Sequence, residues 1–208
     1  MYIPPHFSIT ALAELERIIT TNPLGTLVTT GQGLAANHLP FLFDAQRGEH
    51  GTLLAHVARS NPVWQLEPDS PAAREVLVIF TGVQGYISPN WYPSKQEAQR
   101  QVPTWNYEAV HARGIMTVRD DEKFVRSVVG GLTRLHEAAE PKPWRMSDTE
   151  PDYLADMLRN IVGIEIAITQ LQGKAKLSQN KETRDRRGAV DALQARGSAE
   201  LAETMRRA

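Results

Sequence analysis

The stretch that decides the fold is Ile161-Val-Gly-Ile-Glu-Ile-Ala-Ile168. Its apolar residues Val162, Ile164, Ile166 and Ile168 alternate with other residues, and a period of two is typical of a β-strand with one buried face. Residues 173–177 are expected to extend the same strand. The pattern therefore predicts a long strand late in the chain.

Strand signals of the same kind recur on the N-terminal side of this stretch. Short runs rich in Leu, Val, Ile and Thr lie between turn residues, and most of the connections are short. The predicted strands cover 24–30, 34–43, 52–58, 75–80, 84–88 and 104–119, and Pro40 is expected to interrupt the second of them at an edge or a bulge. About six to eight strands with few helices between them favour a mainly β fold, an antiparallel barrel with peripheral helices, over a βαβ fold.

Three helices are predicted beside these strands, starting at Thr10, at Asp120 and at Pro151. Each has an apolar face. The expected faces are Leu12, Leu15, Ile18 and Ile19; Phe124, Val128, Leu132 and Leu135; and Tyr153, Leu154, Met157 and Leu158. The other predictions are a turn at 31–33, a helical turn with Trp64 and Leu66, and loops at 68–71 and 89–102.

Length and composition limit the class of protein. The 208 residues suggest one domain, residues 1–180, followed by a charged helical arm, residues 181–208. The net charge is -1, from 23 basic and 24 acidic residues, whereas DNA-binding domains usually carry a basic excess. The absence of cysteine excludes a disulfide scaffold and a thiolate metal site. Without a signal peptide or a membrane-spanning apolar run, we expect a cytoplasmic protein.

Two polar clusters follow predicted strands in the first third of the chain. One contains Asn37 and His38; the other contains His56, Arg59, Ser60 and Asn61. An arginine fork flanked by hydroxyl and amide donors suits a phosphate monoester. The alternative, which is the commoner role of such a sequence, is that Ser60-Asn61-Pro62 caps a helical turn.

Two further clusters combine aromatic, amide and lysine side chains. Trp91, Thr104, Trp105 and Asn106 could wall a flat heterocycle, or the tryptophans could simply pack in the core. Lys174 and Lys176 lie two residues apart, so on a strand they point to one face, toward an anion or toward solvent. Gln179 follows at the end of that strand.

Several common catalytic and binding motifs are missing from the sequence. There is no P-loop, no GxGxxG and no HExxH, and G-x-S-x-G does not occur. We therefore predict no metal site, no Gly-rich phosphate loop and no serine hydrolase.

Taken together, the clusters resemble the PaiB-type family of FMN-binding negative regulators. The matching stretches run in order along residues 1–180 and are MYIPPHF (1–7), NPLGTL (22–27), ANHLPF (36–41), HVARSNP (56–62), YISPNWYPSK (86–95), VPTWNY (102–107) and GKAKLSQN (173–180). The resemblance implies an FMN-binding split barrel, related to the pyridoxamine-phosphate-oxidase-like flavoproteins, that forms a homodimer with FMN at the subunit interface.

The resemblance also assigns roles to residues in the clusters. It implies that Arg59, Ser60, Asn61 and Lys176 hold the FMN phosphate. The flavin ring or its wall would be formed by Asn37, His38, Trp91, Trp105 and Asn106. His56, Thr104 and Gln179 belong to the same predicted site.

Three functions stay open from the sequence. The first is a flavin-binding transcriptional regulator, as the family label implies. The second is a flavin-dependent oxidoreductase or flavin reductase for an unknown small molecule. The third is a haem-binding split barrel with His38, His56 or His111 as axial ligand. DNA binding has weak support. The basic residues Lys181, Arg184, Arg186, Arg187 and Arg196 are interrupted by Glu182 and Asp185, which favours a solvated helix face over a DNA contact.

Overall fold

The computed structural model describes residues 1–31, 33–65 and 74–208. Within them, eight strands form one sheet in the order β3-β2-β6-β7-β8-β5-β4, and β1 pairs with β8. The strands are β1 Ser8–Ile9, β2 Leu24–Thr29, β3 Ala35–Pro40, β4 Leu42–Asp44, β5 Thr52–Ala58, β6 Glu75–Ile87, β7 Thr104–Arg119 and β8 Ile161–Lys176. The pairs β1–β8, β2–β3, β2–β6, β4–β5 and β5–β8 are all antiparallel.

Helices lie between and after the strands. The α-helices are α1 Leu12–Thr21, α2 Ser94–Ala98, α3 Glu122–Glu137, α4 Pro151–Arg159, α5 Thr183–Ala195 and α6 Ala199–Arg207. Short 3-10 turns cover Pro5–Phe7, Pro62–Trp64, Pro89–Trp91 and Met146–Asp148. The prediction of a mainly β fold with peripheral helices is confirmed.

The alternating stretch that predicted β8 has the expected burial. Val162, Ile164 and Ile166 are fully buried. On the neighbouring strand β5, Ala55 lies opposite Ile164 and Val57 opposite Val162. Adjacent strands therefore contribute apolar side chains to the same core.

The chain divides into two compact units. The first comprises residues 22–80 and 111–171 and is called the β-rich unit here. Helix α3 packs in it through Phe124, Val128 and Leu132, which contact Leu42 and Leu54. The helix starts at Asp121, whose carboxylate accepts a hydrogen bond from the Phe124 N–H at 2.9 Å, as expected of an N-cap.

The second unit comprises residues 1–21, 81–110 and 172–208 and is called the helix-capped unit here. Its core combines Ile87, Tyr92 and Leu177 with apolar residues of α5 and α6. The few apolar residues of the charged C-terminal stretch, Leu193, Leu201 and Met205, are all buried in this core. The division of the chain at residue 180 into a domain and an arm stays a prediction.

Two strand and loop predictions need correction. The strands predicted at 75–80 and 84–88 are one strand, β6, which continues through Gly82. Because β6 lies between β2 and β7 in the sheet, its backbone stays extended at that glycine. The predicted irregular loop at 89–102 contains a 3-10 turn and helix α2. The interruption predicted at Pro40 within residues 34–43 is confirmed, since β3 ends at Pro40 and β4 begins at Leu42.

The apolar faces of the helices are narrower than predicted. The predicted inward positions Leu12, Leu135, Tyr153 and Met157 are wrong, since their exposed fractions are 53%, 46%, 58% and 41%. In α4 only Leu158 is buried, so this 9-residue helix buries one side chain where the sequence predicted four.

Leu66 and the loop at 68–71 lie outside the described residues, as does Gln32 in the predicted turn at 31–33. Across the described parts of the chain, no helix combines the length and the apolar character that crossing a bilayer requires.

Candidate functional site

A pocket in the β-rich unit brings together three of the predicted site residues. Asn37, Ser60 and Asn61 line an open cavity of about 510 Å³ with Thr29, Gly31, Gly33, Ala35, Ala36, Pro62, Val63 and Gln65. The Asn61 amide Nδ2 donates a 2.8 Å hydrogen bond to Asn37 Oδ1. This volume is in the usual range for a small-molecule site, roughly 300–1,000 Å³.

Asn61 also has the structural role that the sequence left open. Its Oδ1 accepts a hydrogen bond from the Val63 N–H at 3.0 Å and so caps the 3-10 turn Pro62–Trp64. Asn61 can therefore cap the turn and line the pocket at once, because its Oδ1 accepts from Val63 while its Nδ2 donates to Asn37. The turn is the element that holds Ser60 and Asn61 at the cavity.

Arg59 precedes these residues, but its guanidinium is held elsewhere. It forms a two-point ion pair with Asp120, at 2.8 and 2.6 Å, and donates to the carbonyls of Arg159 and Ile161 at 2.7 and 3.2 Å. Four of its five N–H groups are thus engaged. The arginine hydrogen bond lowers the pKa of the Asp120 carboxyl, so both partners stay charged. Arg59 lines a separate cavity of about 230 Å³.

The two histidines of these clusters lie in different surroundings. His38 is exposed on β3, opposite Thr26 of β2. His56 lies opposite Gly163, and its buried Nδ1 has no hydrogen-bond partner among the described residues. Burial lowers the pKa of His56, which favours the neutral ring. Neither histidine lines the cavity at Asn37.

In the helix-capped unit, Lys176 meets Thr104 and Trp105. Its ammonium donates to the Thr104 hydroxyl and, at 2.7 Å, to the Trp105 carbonyl. Burial, followed by the positive charges of Lys174 and Lys181, lowers the pKa of Lys176. Among the described residues no carboxylate forms an ion pair with Lys176, so its positive charge is available to an anion.

Three aromatic rings form a partly exposed surface in the same unit. Tyr86 and Trp105 are 47% and 49% exposed, and their ring centroids are 6.5 Å apart. The ring centroid of Trp91 lies 6.4 Å from that of Tyr86, and the Arg196 guanidinium lies 4.8 Å from the Trp91 ring. These rings are exposed enough to contact a flat heterocycle or a second copy of the chain.

Asn106 is buried in this unit, whereas Gln179 is half-buried and lines a second cavity there, of about 400 Å³. Asn106 is 1% exposed and donates to Ser178 Oγ at 2.9 Å, while its Oδ1 has no partner among the described residues. The Gln179 amide donates to the Ala175 carbonyl at 2.7 Å and accepts from the Leu177 N–H at 2.8 Å. Both amides fix the chain around residues 175–179.

Sequence reasoning missed two buried carboxylates in the helix-capped unit. Glu108 is 1% exposed and pairs with Arg17 at 2.7 Å. Asp185, equally buried, accepts hydrogen bonds from Ser94 N and Ser94 Oγ at 2.9 and 2.6 Å. The available signal for Glu108 was a charge inside the apolar segment Tyr107-Glu-Ala-Val110; nothing in the sequence marked Asp185.

Within residues 1–31, 33–65 and 74–208, no group of three or more His, Asp or Glu side chains is arranged to hold a metal ion.

Solved structures share this fold at low sequence identity. The flavocytochrome Anf3 from Azotobacter vinelandii superposes with a TM-score of 0.61 at 10% identity, over 84% of this chain and 72% of that one. Protein Rv2991 from Mycobacterium tuberculosis gives 0.59 at 11% identity, over 88% and 94%. The split-barrel fold predicted from the sequence is confirmed.

Sequence comparisons give the family. Residues 1–170 match the model of the family described as "Putative FMN-binding domain". Protease synthase and sporulation protein PAI 2 of Bacillus subtilis is 34% identical over 93% of this chain and 89% of that protein. An uncharacterised protein of Aspergillus fumigatus is 31% identical over 95% and 92%. The chain therefore belongs to the PaiB-type family of FMN-binding split barrels.

Proposed function

We propose that this chain is a cytoplasmic FMN-binding protein and that the cavity at Asn37, Ser60 and Asn61 is part of its cofactor site. The observation that carries the proposal is the Asn61–Asn37 hydrogen bond, which joins a strand and a capped turn beside a cavity of about 510 Å³. Membership of an FMN-binding family supplies the identity of the ligand.

The chemistry of the donors supports this ligand. The Ser60 hydroxyl and the Asn37 and Asn61 amides are neutral groups that hydrogen-bond phosphate oxygens or flavin carbonyls and nitrogens. Arg59 is already paired with Asp120, so in this proposal a second positive charge supports the phosphate. Lys176, which lacks a carboxylate partner within the described residues, fits that role in the proposal.

We further propose that the site is completed by a second copy of the chain in a homodimer. The cavity at Asn37 is open, and the Trp105 and Tyr86 rings are about half exposed. In this proposal one copy contributes the cavity, and the other contributes the aromatic rings and Lys176. Bound FMN supplies hydride or single-electron chemistry, while the chain's own residues orient the ring and exclude water from it.

The test is a titration of the cofactor-free protein with FMN and, in parallel, with riboflavin, which lacks the phosphate. We expect FMN to bind more tightly than riboflavin, and Ser60→Ala and Lys176→Met to weaken FMN binding by about tenfold each while riboflavin binding changes little. Flavin fluorescence quenching reports the affinity. The matched controls are Ser127→Ala and Lys142→Met, both at exposed positions.

Two outcomes would overturn the proposal. If the protein binds neither flavin, the function is wrong. If FMN binds but the Ser60 and Lys176 variants behave as their controls do, the phosphate lies outside this set of residues.

A regulatory role on DNA is a separate question, and the C-terminal basic residues give it little support. Arg184 is paired with Glu97 and Glu182, Lys181 donates to Gln101, and Arg196 covers Trp91. These three cations already have partners within the helix-capped unit. A direct repressor would still show DNA binding with a steep dependence on salt.

A further inference from the structure

A further cavity lies in the β-rich unit, between the C-terminal half of α3 and residues 143–147, and is called the α3 cavity here. Its volume is about 640 Å³, which is within the usual range for a small-molecule site. It shares no lining residue with the proposed FMN cavity. The chemistry of its own wall therefore decides what it can bind.

Gly130 is buried in this wall, and its lack of a side chain lets two other groups approach it. A Cβ at this position would lie 3.0 Å from Met146 Cε and 3.4 Å from Arg134 Nη1. The Arg134 side chain therefore leans back over the preceding turn of α3, as side chains of a helix generally do. The guanidinium and the thioether methyl meet the cavity at the same glycine.

The Arg134 guanidinium has free donors at this position. Within the described part of the chain it forms no ion pair and no hydrogen bond with another residue. The acidic residue of the wall, Glu137, instead accepts a 2.8 Å hydrogen bond from the Trp144 N–H. Asp148, just after the lining segment, accepts one from the Arg145 N–H at 3.0 Å. A guanidinium presents its N–H groups as a planar fork, which a carboxylate matches with two parallel hydrogen bonds.

Apolar groups accompany this cation. The Trp144 ring is 43% exposed, and Ala138, Pro143 and Met146 add apolar surface to the same wall. An indole ring and a thioether both make favourable contacts with aromatic rings. The wall therefore combines a cationic fork with a surface that suits a flat apolar body.

We propose that the α3 cavity binds a small aromatic monocarboxylate, with its carboxylate on the Arg134 guanidinium and its ring against Trp144 and Met146. A monoanion fits better than a phosphate monoester, because Glu137 places a negative charge in the same wall and repels a doubly charged group more strongly. The ligand gains charge-assisted hydrogen bonds at one end and buries its ring at the other. This site does not depend on the FMN proposal.

The experiment is a calorimetric titration of the full chain near neutral pH with three probes. These are 2-naphthoate, its uncharged analogue 2-naphthamide, and the dianion 2-naphthyl phosphate. We expect saturable binding of naphthoate and at least about tenfold weaker binding of the other two. Saturating FMN should leave the affinity for naphthoate unchanged, because the two cavities share no lining residue.

Two variants locate the binding site. Arg134→Met removes the fork and keeps an apolar side chain, so it should weaken naphthoate binding by at least about tenfold and change naphthamide binding little. Arg126→Met is the control, because Arg126 lies two turns earlier on α3 and is paired with Glu122. Gly130→Ala places a methyl group beside Met146 and Arg134, and should weaken naphthoate binding severalfold without loss of thermal stability.

The proposal is wrong if naphthoate does not bind, or if Arg134→Met binds it as tightly as Arg126→Met does. It is also wrong if naphthamide or naphthyl phosphate binds as well as naphthoate. Displacement of naphthoate by FMN would contradict it too, since the two ligands would then share a site. Failure of the FMN proposal is a separate result, in which naphthoate binds and FMN does not.

Discussion

At the residue scale, Arg59 shows how a side chain with the right chemistry can be committed to a structural contact. Its sequence context suggested a phosphate ligand, but Asp120 and two backbone carbonyls occupy most of its donors. Asp120 follows the end of β7 and is far from Arg59 in sequence, so no local pattern could reveal the pair. Ser60 and Asn61, by contrast, are positioned by the adjacent turn Pro62–Trp64, which the local sequence predicts.

We expect Arg59→Ala and Asp120→Ala to weaken FMN binding to a similar, severalfold extent. The physical reason is that the ion pair fixes the end of β5, from which Ser60 and Asn61 reach the cavity. Flavin fluorescence titration measures the effect, and Arg126→Ala, on the exposed face of α3, is the control. Tighter FMN binding by Asp120→Ala would instead show that a released Arg59 contacts the phosphate directly.

At the element scale, helix α5 is anchored by a polar contact as well as by its apolar face. Asp185 in its first turn accepts hydrogen bonds from Ser94 at the start of α2 and from Gln101 Nε2 at 3.2 Å. The apolar pattern of the C-terminal stretch is sparse, so its sequence predicted only a marginal helix. The hydrogen bond between Ser94 and Asp185 joins residues 91 positions apart in the sequence, and it stabilises a helix whose own apolar pattern is weak.

We expect Asp185→Ala to lower the free energy of unfolding by about 2–3 kcal/mol, because it leaves the buried Ser94 donors without an acceptor. Urea denaturation followed by circular dichroism measures this loss. Asp191→Ala, at an exposed position of the same helix, should change stability by less than about 0.5 kcal/mol. Equal effects of the two substitutions would contradict the anchoring role.

Two helix glycines should respond in opposite ways to alanine. A Cβ at Gly188 in α5 would lie 2.2 Å from the Trp91 carbonyl oxygen, whereas at Gly130 in α3 the nearest atom is the mobile end of Met146, at 3.0 Å. We expect Gly188→Ala to destabilise the protein by about 2 kcal/mol or more. Gly130→Ala should be neutral or stabilise it by up to about 1 kcal/mol. Thermal melts of the two variants compare them directly, and a stable Gly188→Ala protein would refute the close packing.

At the scale of the whole molecule, the sequence predicted the type of fold better than the arrangement of the site. Period-two patterns such as Ile161–Ile168 mark strands because burial of one face is a local property. The association of Lys176 with Thr104, or of Glu108 with Arg17, depends on which strands and helices become neighbours. Such long-range contacts could not be deduced from spacing, and the motifs of the family indicated only which residue types to expect.

We expect the protein to be a dimer whose stability depends on concentration and on cofactor. Light scattering should give twice the mass of the chain, and the melting temperature should rise with protein concentration. FMN at 100 times its dissociation constant should add about 2.7 kcal/mol of stability by mass action, and riboflavin at the same concentration less. A melting temperature independent of protein concentration, together with a monomeric mass, would contradict the homodimer.

The composition of the helix-capped unit has a consequence for synthesis in the cell. Its core takes Ile87 and Tyr92 from residues 81–110 and Leu193, Leu201 and Met205 from residues 172–208, so side chains about 100 residues apart in the sequence pack together. During synthesis, Ile87 and Tyr92 therefore cannot be buried in this core until Leu193, Leu201 and Met205 have been translated. The nascent chain therefore carries this apolar surface exposed while residues 111–205 are synthesised, and during that interval it is a candidate for chaperone binding.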